Sequence, residues 1–76
     1  MNSQANNQIN PDKLLSSKWT ALQLYNKEKH FIVTRVIRNE QEKVVVCILE
    51  AVINHREYEL DWHQLKDAYS WLPGWR

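Results

Sequence analysis

Two apolar runs separated by four polar residues dominate this chain: HFIVTRVIR over residues 30–38 and KVVVCILEAVI over 43–53, with NEQE between them. Both are rich in β-branched residues, whose stiff side chains suit a pleated strand. The pattern predicts two antiparallel strands with residues 39–42 as their hairpin loop. Asn54-His55 is a candidate two-residue turn, because Asn tolerates positive φ. REYELDW (56–62) then alternates, with Tyr58, Leu60 and Trp62 on one side and Glu57, Glu59 and Asp61 on the other. Such a turn sets Ile53 opposite Arg56, Ala51 opposite Tyr58, Leu49 opposite Leu60 and Cys47 opposite Trp62. A four-residue loop keeps the same parity, so the inward face does not depend on the choice. On the other face Glu50 meets Glu59, an unfavourable pairing that asks for a basic neighbour or a bulge.

The two long runs are apolar on both faces. Phe31, Val33 and Ile37 alternate with Ile32 and Val36; Val44, Val46, Ile48 and Val52 alternate with Val45, Cys47 and Leu49. An antiparallel sheet with one wet face should read apolar-polar instead. The second face therefore needs a cover: barrel closure, residues 11–15 with the tryptophan-rich ends, or a second copy of the chain. Cover from within the chain is the expectation, which favours a monomer over a homodimer.

The flanks carry shorter signals. In NPDKLL, Asn10 can cap, Pro11 suits the first helical position and Asp12 suits the positive helix end, so a one-turn helix is expected, ended by Ser16 and Ser17. KWTAL (18–22) reads as a short strand. Asp61 with Gln64 forms a capping-box pattern, and residues 62–67 read as one helical turn carrying Leu65 inward. LPGW has Pro and Gly at the two central positions of a type II turn. The expected fold is mainly all-β: a small bent antiparallel meander, or a barrel like the SH3 or Tudor modules, with one-turn helices before the first strand and before the C-terminal tail. Residues 1–9 are expected to form a disordered polar tail and residues 10–76 a single small domain.

A domain of this size removes only about 60% of its unfolded surface from water, so its core is small. Net charge is +1, but its distribution is lopsided: residues 1–38 hold six basic and two acidic side chains, residues 39–76 four basic and seven acidic. A single cysteine excludes an internal disulfide framework. The N-terminus has neither a positive n-region nor an apolar core, and VVVCIL is far shorter than the roughly 20 residues that span a bilayer. A cytoplasmic protein without membrane association is the expectation.

Few residues suggest chemistry. Cys47 with His30, His55 and His63 has no structural-zinc spacing, and a thiol facing the core in mid-strand is no accessible nucleophile. Glu50, Glu57, Glu59 and Asp61 could serve acid–base work, yet alternating charges on a strand more commonly form a solvated face that guards an edge. Gly74 is the chain's single glycine, which excludes a Gly-rich phosphate loop. The expectation is no enzyme, no cofactor and no metal.

Aromatic residues are the remaining signal. Trp62 belongs to the inward register; Trp19, Trp71 and Trp75 are not placed by parity, and rings flanking a turn can line a peptide-docking groove. The segments NPDKLLSSKWTA, EKHFIVTRV, LEAV…REYELDW and LKDAYSWLPGW together resemble the small tryptophan-rich family of uncharacterised bacterial proteins, over about residues 10–75. That resemblance implies a small bacterial domain without assigned activity and supplies no site residues. The residues themselves suggest a small binding or assembly module that contacts a protein or peptide through a C-terminal aromatic surface, with Trp19, Trp71, Trp75 and Arg76 as candidates. One alternative is single-stranded nucleic-acid binding by Lys18, Lys27, Lys29, Arg35 and Arg38, which are interleaved with Trp19, Tyr25, His30 and Phe31. Self-association through the second apolar face is the other.

Overall fold

The computed structural model describes residues 6–76. A 3₁₀ turn at Pro11–Lys13 leads into five strands: β1 (Lys18–Tyr25), β2 (Glu28–Arg38), β3 (Val44–Ala51), β4 (Glu57–Asp61) and β5 (Trp71–Pro73). A second 3₁₀ turn, Trp62–Lys66, stands between β4 and β5. All pairings are antiparallel, and the strands form one sheet in the order β4-β3-β2-β1-β5. The fold is thus mainly β, with the expected meander at its centre. It is an open sheet with β4 and β5 as its two edges, rather than a barrel closed by strand pairing.

The apolar residues on both faces of β2 have a specific origin. Val33 pairs with Leu49, but Arg35 pairs with Ile48, so Thr34 is an extra residue in the ladder. This bulge reverses the parity of β2. Phe31 and Val33 before it and Val36 after it therefore face the same core, while Ile37 is exposed. A second shift lets Arg38 pair with Val44, passing over Val45, and Val44 joins the core beside Cys47 and Leu49.

The core fills one face. Trp19, Ala21, Phe31, Val33, Cys47, Leu49 and Ala51 supply the sheet side, and Leu14, Trp62 and Leu65 cover it from the two 3₁₀ turns. Asn10 Oδ1 accepts from the Asp12 amide at 3.0 Å, and Asp61 Oδ1 accepts from the His63 amide at 2.9 Å, so each turn starts on its predicted cap. Asn7 joins the pieces: its side chain donates to Leu65 O at 2.7 Å and to Trp71 O at 2.9 Å. Of the polar tail expected over 1–9, residues 1–5 lie outside the described residues, and Asn6 bridges to Asp67.

The other face is covered in part by the C-terminus. Gly74, at φ +79°, turns the chain over the sheet after its amide has donated to Lys18 O at 2.7 Å. The Thr20 hydroxyl then donates to Gly74 O at 2.7 Å and accepts from the Arg76 amide at 2.9 Å, and it is buried. The Trp75 indole N–H reaches across to Phe31 O at 2.9 Å.

Three sequence expectations shift. The β3–β4 connection is a four-residue loop, with Ala51 N donating to Arg56 O and His55 N to Ala51 O, both at 2.8 Å. Cys47 therefore faces Leu60, Leu49 faces Tyr58, and Glu50 faces Glu57 instead of Glu59. The inward parity survives and the register moves by two. The cause is local: Asn54 Oδ1 closes on the Arg56 amide at 3.0 Å and His55 takes φ 64°, which turns the apolar Val52 and Ile53 into loop residues. Trp62 lies past the strand end and is buried from the 3₁₀ turn, stacked on His63 with ring centroids 4.0 Å apart. Finally, residues 71–73 form an edge strand on β1 instead of a free tail, while β1 itself runs on to a tight hairpin turn at Asn26 and Lys27, both at positive φ.

Two outcomes follow for stability and reactivity. Trp62→Ala removes a buried ring and should cost about 3–5 kcal/mol, enough to unfold a domain of this size. Trp75→Ala, losing a half-exposed ring, should cost only about 1–2 kcal/mol, and thermal melts of the two variants distinguish them. Cys47 is fully buried and burial pushes its thiol up to about 11, so a thiol reagent should label the native protein only as fast as it unfolds.

Candidate functional site

Phe31 sits on a central strand, two positions from each sheet edge. In a flat sheet, residues two strands apart stand roughly 10 Å from each other. Yet the Phe31 ring lies 6.1 Å from the Tyr58 ring of β4 and 5.4 Å from the Trp71 ring of β5, at interplanar angles of 70° and 75°. Both edge rings lean inward across the core face. Between them opens a cleft of about 450 Å³, floored by Ala21, Leu49 and Leu60. That volume lies within the range of small-molecule and side-chain pockets.

One wall is polar. Glu28 is only 3% exposed; its Oε1 accepts from the Tyr58 hydroxyl at 2.5 Å and its Oε2 from Asn54 Nδ2 at 2.7 Å. These bonds, Tyr58's first, hold the Glu28 carboxyl below its ordinary value of 4.5 and outweigh its desolvation. The same bond pushes the Tyr58 phenol up from 10.0. The β1–β2 hairpin, the β3–β4 loop and β4 are thus tied together at one end of the cleft. Gln23, Asn26, Glu59 and Ser70 complete the lining, which contains no lysine, arginine or histidine. Arg56, exposed beside Tyr58, is the cation near its mouth.

The candidate residues named from sequence divide between the two faces. Trp19 is buried in the core, its indole donating to Ser17 Oγ at 2.9 Å, and it is closed to a partner. Trp71 is half-buried and lines the cleft. Trp75 is 44% exposed and lies on the opposite face, its ring under Lys18 Nζ at 4.8 Å and 6.0 Å from the His30 ring. Arg76 is beside it, with its carbonyl 3.1 Å from His30 Nε2 and its guanidinium donating to Pro73 O at 3.1 Å. Trp71 and Trp75 therefore do not share a groove. The basic set does not gather either. Lys18 stands at Trp75, Lys27 lies in the β1–β2 turn, Lys29 near the start of β2, Arg35 at its middle, and Arg38 at its far end, bonded to Asp12 at 3.2 Å and to Glu42 O at 2.7 Å. Eleven extended residue steps separate Lys27 from Arg38 by about 35 Å.

A family model described as "Tryptophan-rich protein (DUF2389)" matches residues 17–76. The chain belongs to that tryptophan-rich family. No curated protein and no solved structure matches it. The family match covers every strand and both edge rings of the cleft. Among the described residues, no group of three or more His, Cys, Asp and Glu could hold a metal ion, and no helix is long and apolar enough to cross a membrane.

Sequence reasoning placed Tyr58 inward and named Trp71, but it missed Glu28, Asn54 and Phe31 as parts of one site. Glu28 sits between Lys27 and Lys29, where a lone acid reads as surface. Asn54 was recognised for its backbone tolerance, and its side chain does the joining.

The network has a pH signature. A carboxyl held low stabilises the fold fully above its ordinary value of 4.5, and that contribution is lost as pH falls through the folded pKa. A phenol held high stabilises fully below 10.0, and that part is lost as pH rises through its folded pKa. Melting temperatures across pH should therefore drop at both ends, and Glu28→Gln should shallow the acid limb relative to wild type. An unchanged acid limb would mean that the bonds to Tyr58 and Asn54 contribute nothing to the fold.

Proposed function

We propose that this protein is a non-enzymatic binding module that takes a peptide segment of a protein partner into the cleft lined by Phe31, Tyr58 and Trp71. One observation carries the reading: three rings from three strands converge on a cleft of about 450 Å³ that the described residues leave unfilled. Tyr58 is 38% exposed, and converging edge-on rings offer adaptable apolar contact with a polar tip, the composition of peptide grooves. The lining also argues against catalysis. A general acid or base works best with a pKa near neutrality, whereas Glu28 is held low and Tyr58 high. The chain's one thiol is buried, which fits a reducing compartment, and we place the protein in the bacterial cytoplasm.

A second reading rests on Trp75, where Lys18, His30 and Arg76 gather around a half-open ring as a nucleic-acid platform would require. It is the weaker one, because Lys18 already occupies a face of that ring and the rest of the basic set is dispersed.

Selection of a random peptide library on the immobilised protein, followed by NMR shift mapping, tests the choice. Selected peptides should move resonances of Phe31, Tyr58 and Trp71. Trp71→Ala should weaken them at least about tenfold, as loss of an aromatic anchor does, while Trp75→Ala should leave them within about twofold. Peptides that map to Trp75, or submicromolar salt-sensitive binding of oligothymidine there, would overturn the cleft in favour of the second face.

A further inference from the structure

We infer that the cleft is built to receive the arginine side chain of a basic peptide; the inference rests on the peptide-binding reading above. Charge is the first reason. Glu28 lines the cleft and, among the described residues, no basic one does, while Glu28 spends one acceptor site of each oxygen on Asn54 and Tyr58; Glu59 only borders the cleft from the outer face of β4. Each carboxylate oxygen keeps a second lone pair, and an ionised group in a largely apolar cleft holds a negative potential that water screens poorly. The walls are the second reason. Phe31 is buried against Tyr58 and Trp71, which both stay partly open, and a guanidinium stacked on the face of either meets the negative side of its quadrupole.

The floor selects arginine over lysine. Ala21, Leu49 and Leu60 offer no replacement for the water that a primary ammonium strongly holds. A guanidinium is weakly hydrated, planar and able to stack, and its methylene stem suits the same floor. Gln23 and Asn26 supply amide oxygens at the rim for its outward N–H groups. Acidic peptides and nucleic-acid phosphates meet the wrong sign of charge here. The protein's own Arg56 stands beside Tyr58 at the mouth and competes with an incoming cation.

Calorimetric titration compares acetyl-Gly-Gly-Arg-Gly-Gly-amide with its citrulline analogue, a neutral isostere, and with the lysine peptide, each to millimolar concentration on the wild-type protein. The arginine peptide should bind about tenfold or more tighter than citrulline and tighter than lysine. It should weaken with added salt, shift Phe31, Tyr58 and Trp71, weaken in Glu28→Gln and tighten in Arg56→Ala. Arg56 is exposed, so its substitution reads the charge without touching the fold, and melts confirm that both variants fold. Equal binding of citrulline and arginine overturns the inference while leaving a neutral aromatic peptide cleft. Arginine shifts confined to Trp75, or displacement of the peptide from the cleft by oligothymidine, overturn it as well. If library peptides bind in the cleft and the arginine peptide does not, only the cationic anchor fails; if no peptide binds at all, the peptide reading fails with it.

Discussion

One extra residue in β2 decides which of its side chains build the core. With Thr34 bulged, Val33 and Val36 both reach the core, while Ile32 and Ile37 stay outside it. A bulge also sharpens the local twist of the sheet. On the core face of that sheet the Phe31 ring meets rings two strands away in both directions. The overall Cα extents of 38 × 36 × 16 Å show how little depth is available: one sheet with a thin cover. The cover is drawn from both ends of the described chain. The 3₁₀ turns lie over the core face, while Trp75 and Arg76 are laid over the back of β1 and β2.

Much of this was legible in the sequence because β-branched runs, caps and alternation act locally. The β2 and β3 strands, the inward parity of β4, the two short turns and the burial of Leu65 and Trp62 all follow from patterns a few residues long. The register of β3 on β4 did not, since Val52 and Ile53 look like strand and only the Asn54 side chain marks them as loop. The β5 strand was hidden for a different reason. Three residues ending in proline have no strand signature of their own, and β5 exists because β1 and Asn7 hold it, which are contacts from the far end of the chain. The cleft was the least legible feature. Glu28, Asn54 and Tyr58 meet only through the fold, and periodicity is silent about such a meeting.

The lopsided charge of the sequence acquires meaning in the topology. In a meander, sequence order is spatial order, so the basic first half becomes β1 and β2 and the acidic second half becomes β3 and β4. On the face away from the core, Lys18 and Arg35 stand on the β1–β2 side, and Glu50, Glu57 and Glu59 stand on the β3–β4 side. His55 Nδ1 lies 2.7 Å from Glu50 Oε2, which relieves the Glu50–Glu57 opposition that a strict ladder imposes. The resulting charge dipole runs across the sheet. Cations gather at Trp75 on that outer face, while the cleft on the core face holds the Glu28 carboxylate, so the two aromatic surfaces invite ligands of opposite charge.

Glu28 is the residue for which stability alone gives the poorest account. Taking a carboxylate out of water is costly, and a well-packed apolar group of similar size commonly serves a fold as well or better. The Asn54 and Tyr58 bonds offset that cost but add no core. What the carboxylate does that an apolar group would not is orient. It fixes the Tyr58 hydroxyl, and with it the ring that walls the cleft, and it anchors the loop that carries Arg56 to the cleft mouth. A side chain that positions one wall, one loop and the sign of the local potential together is understandable if the cleft has an occupant, and is hard to explain as packing.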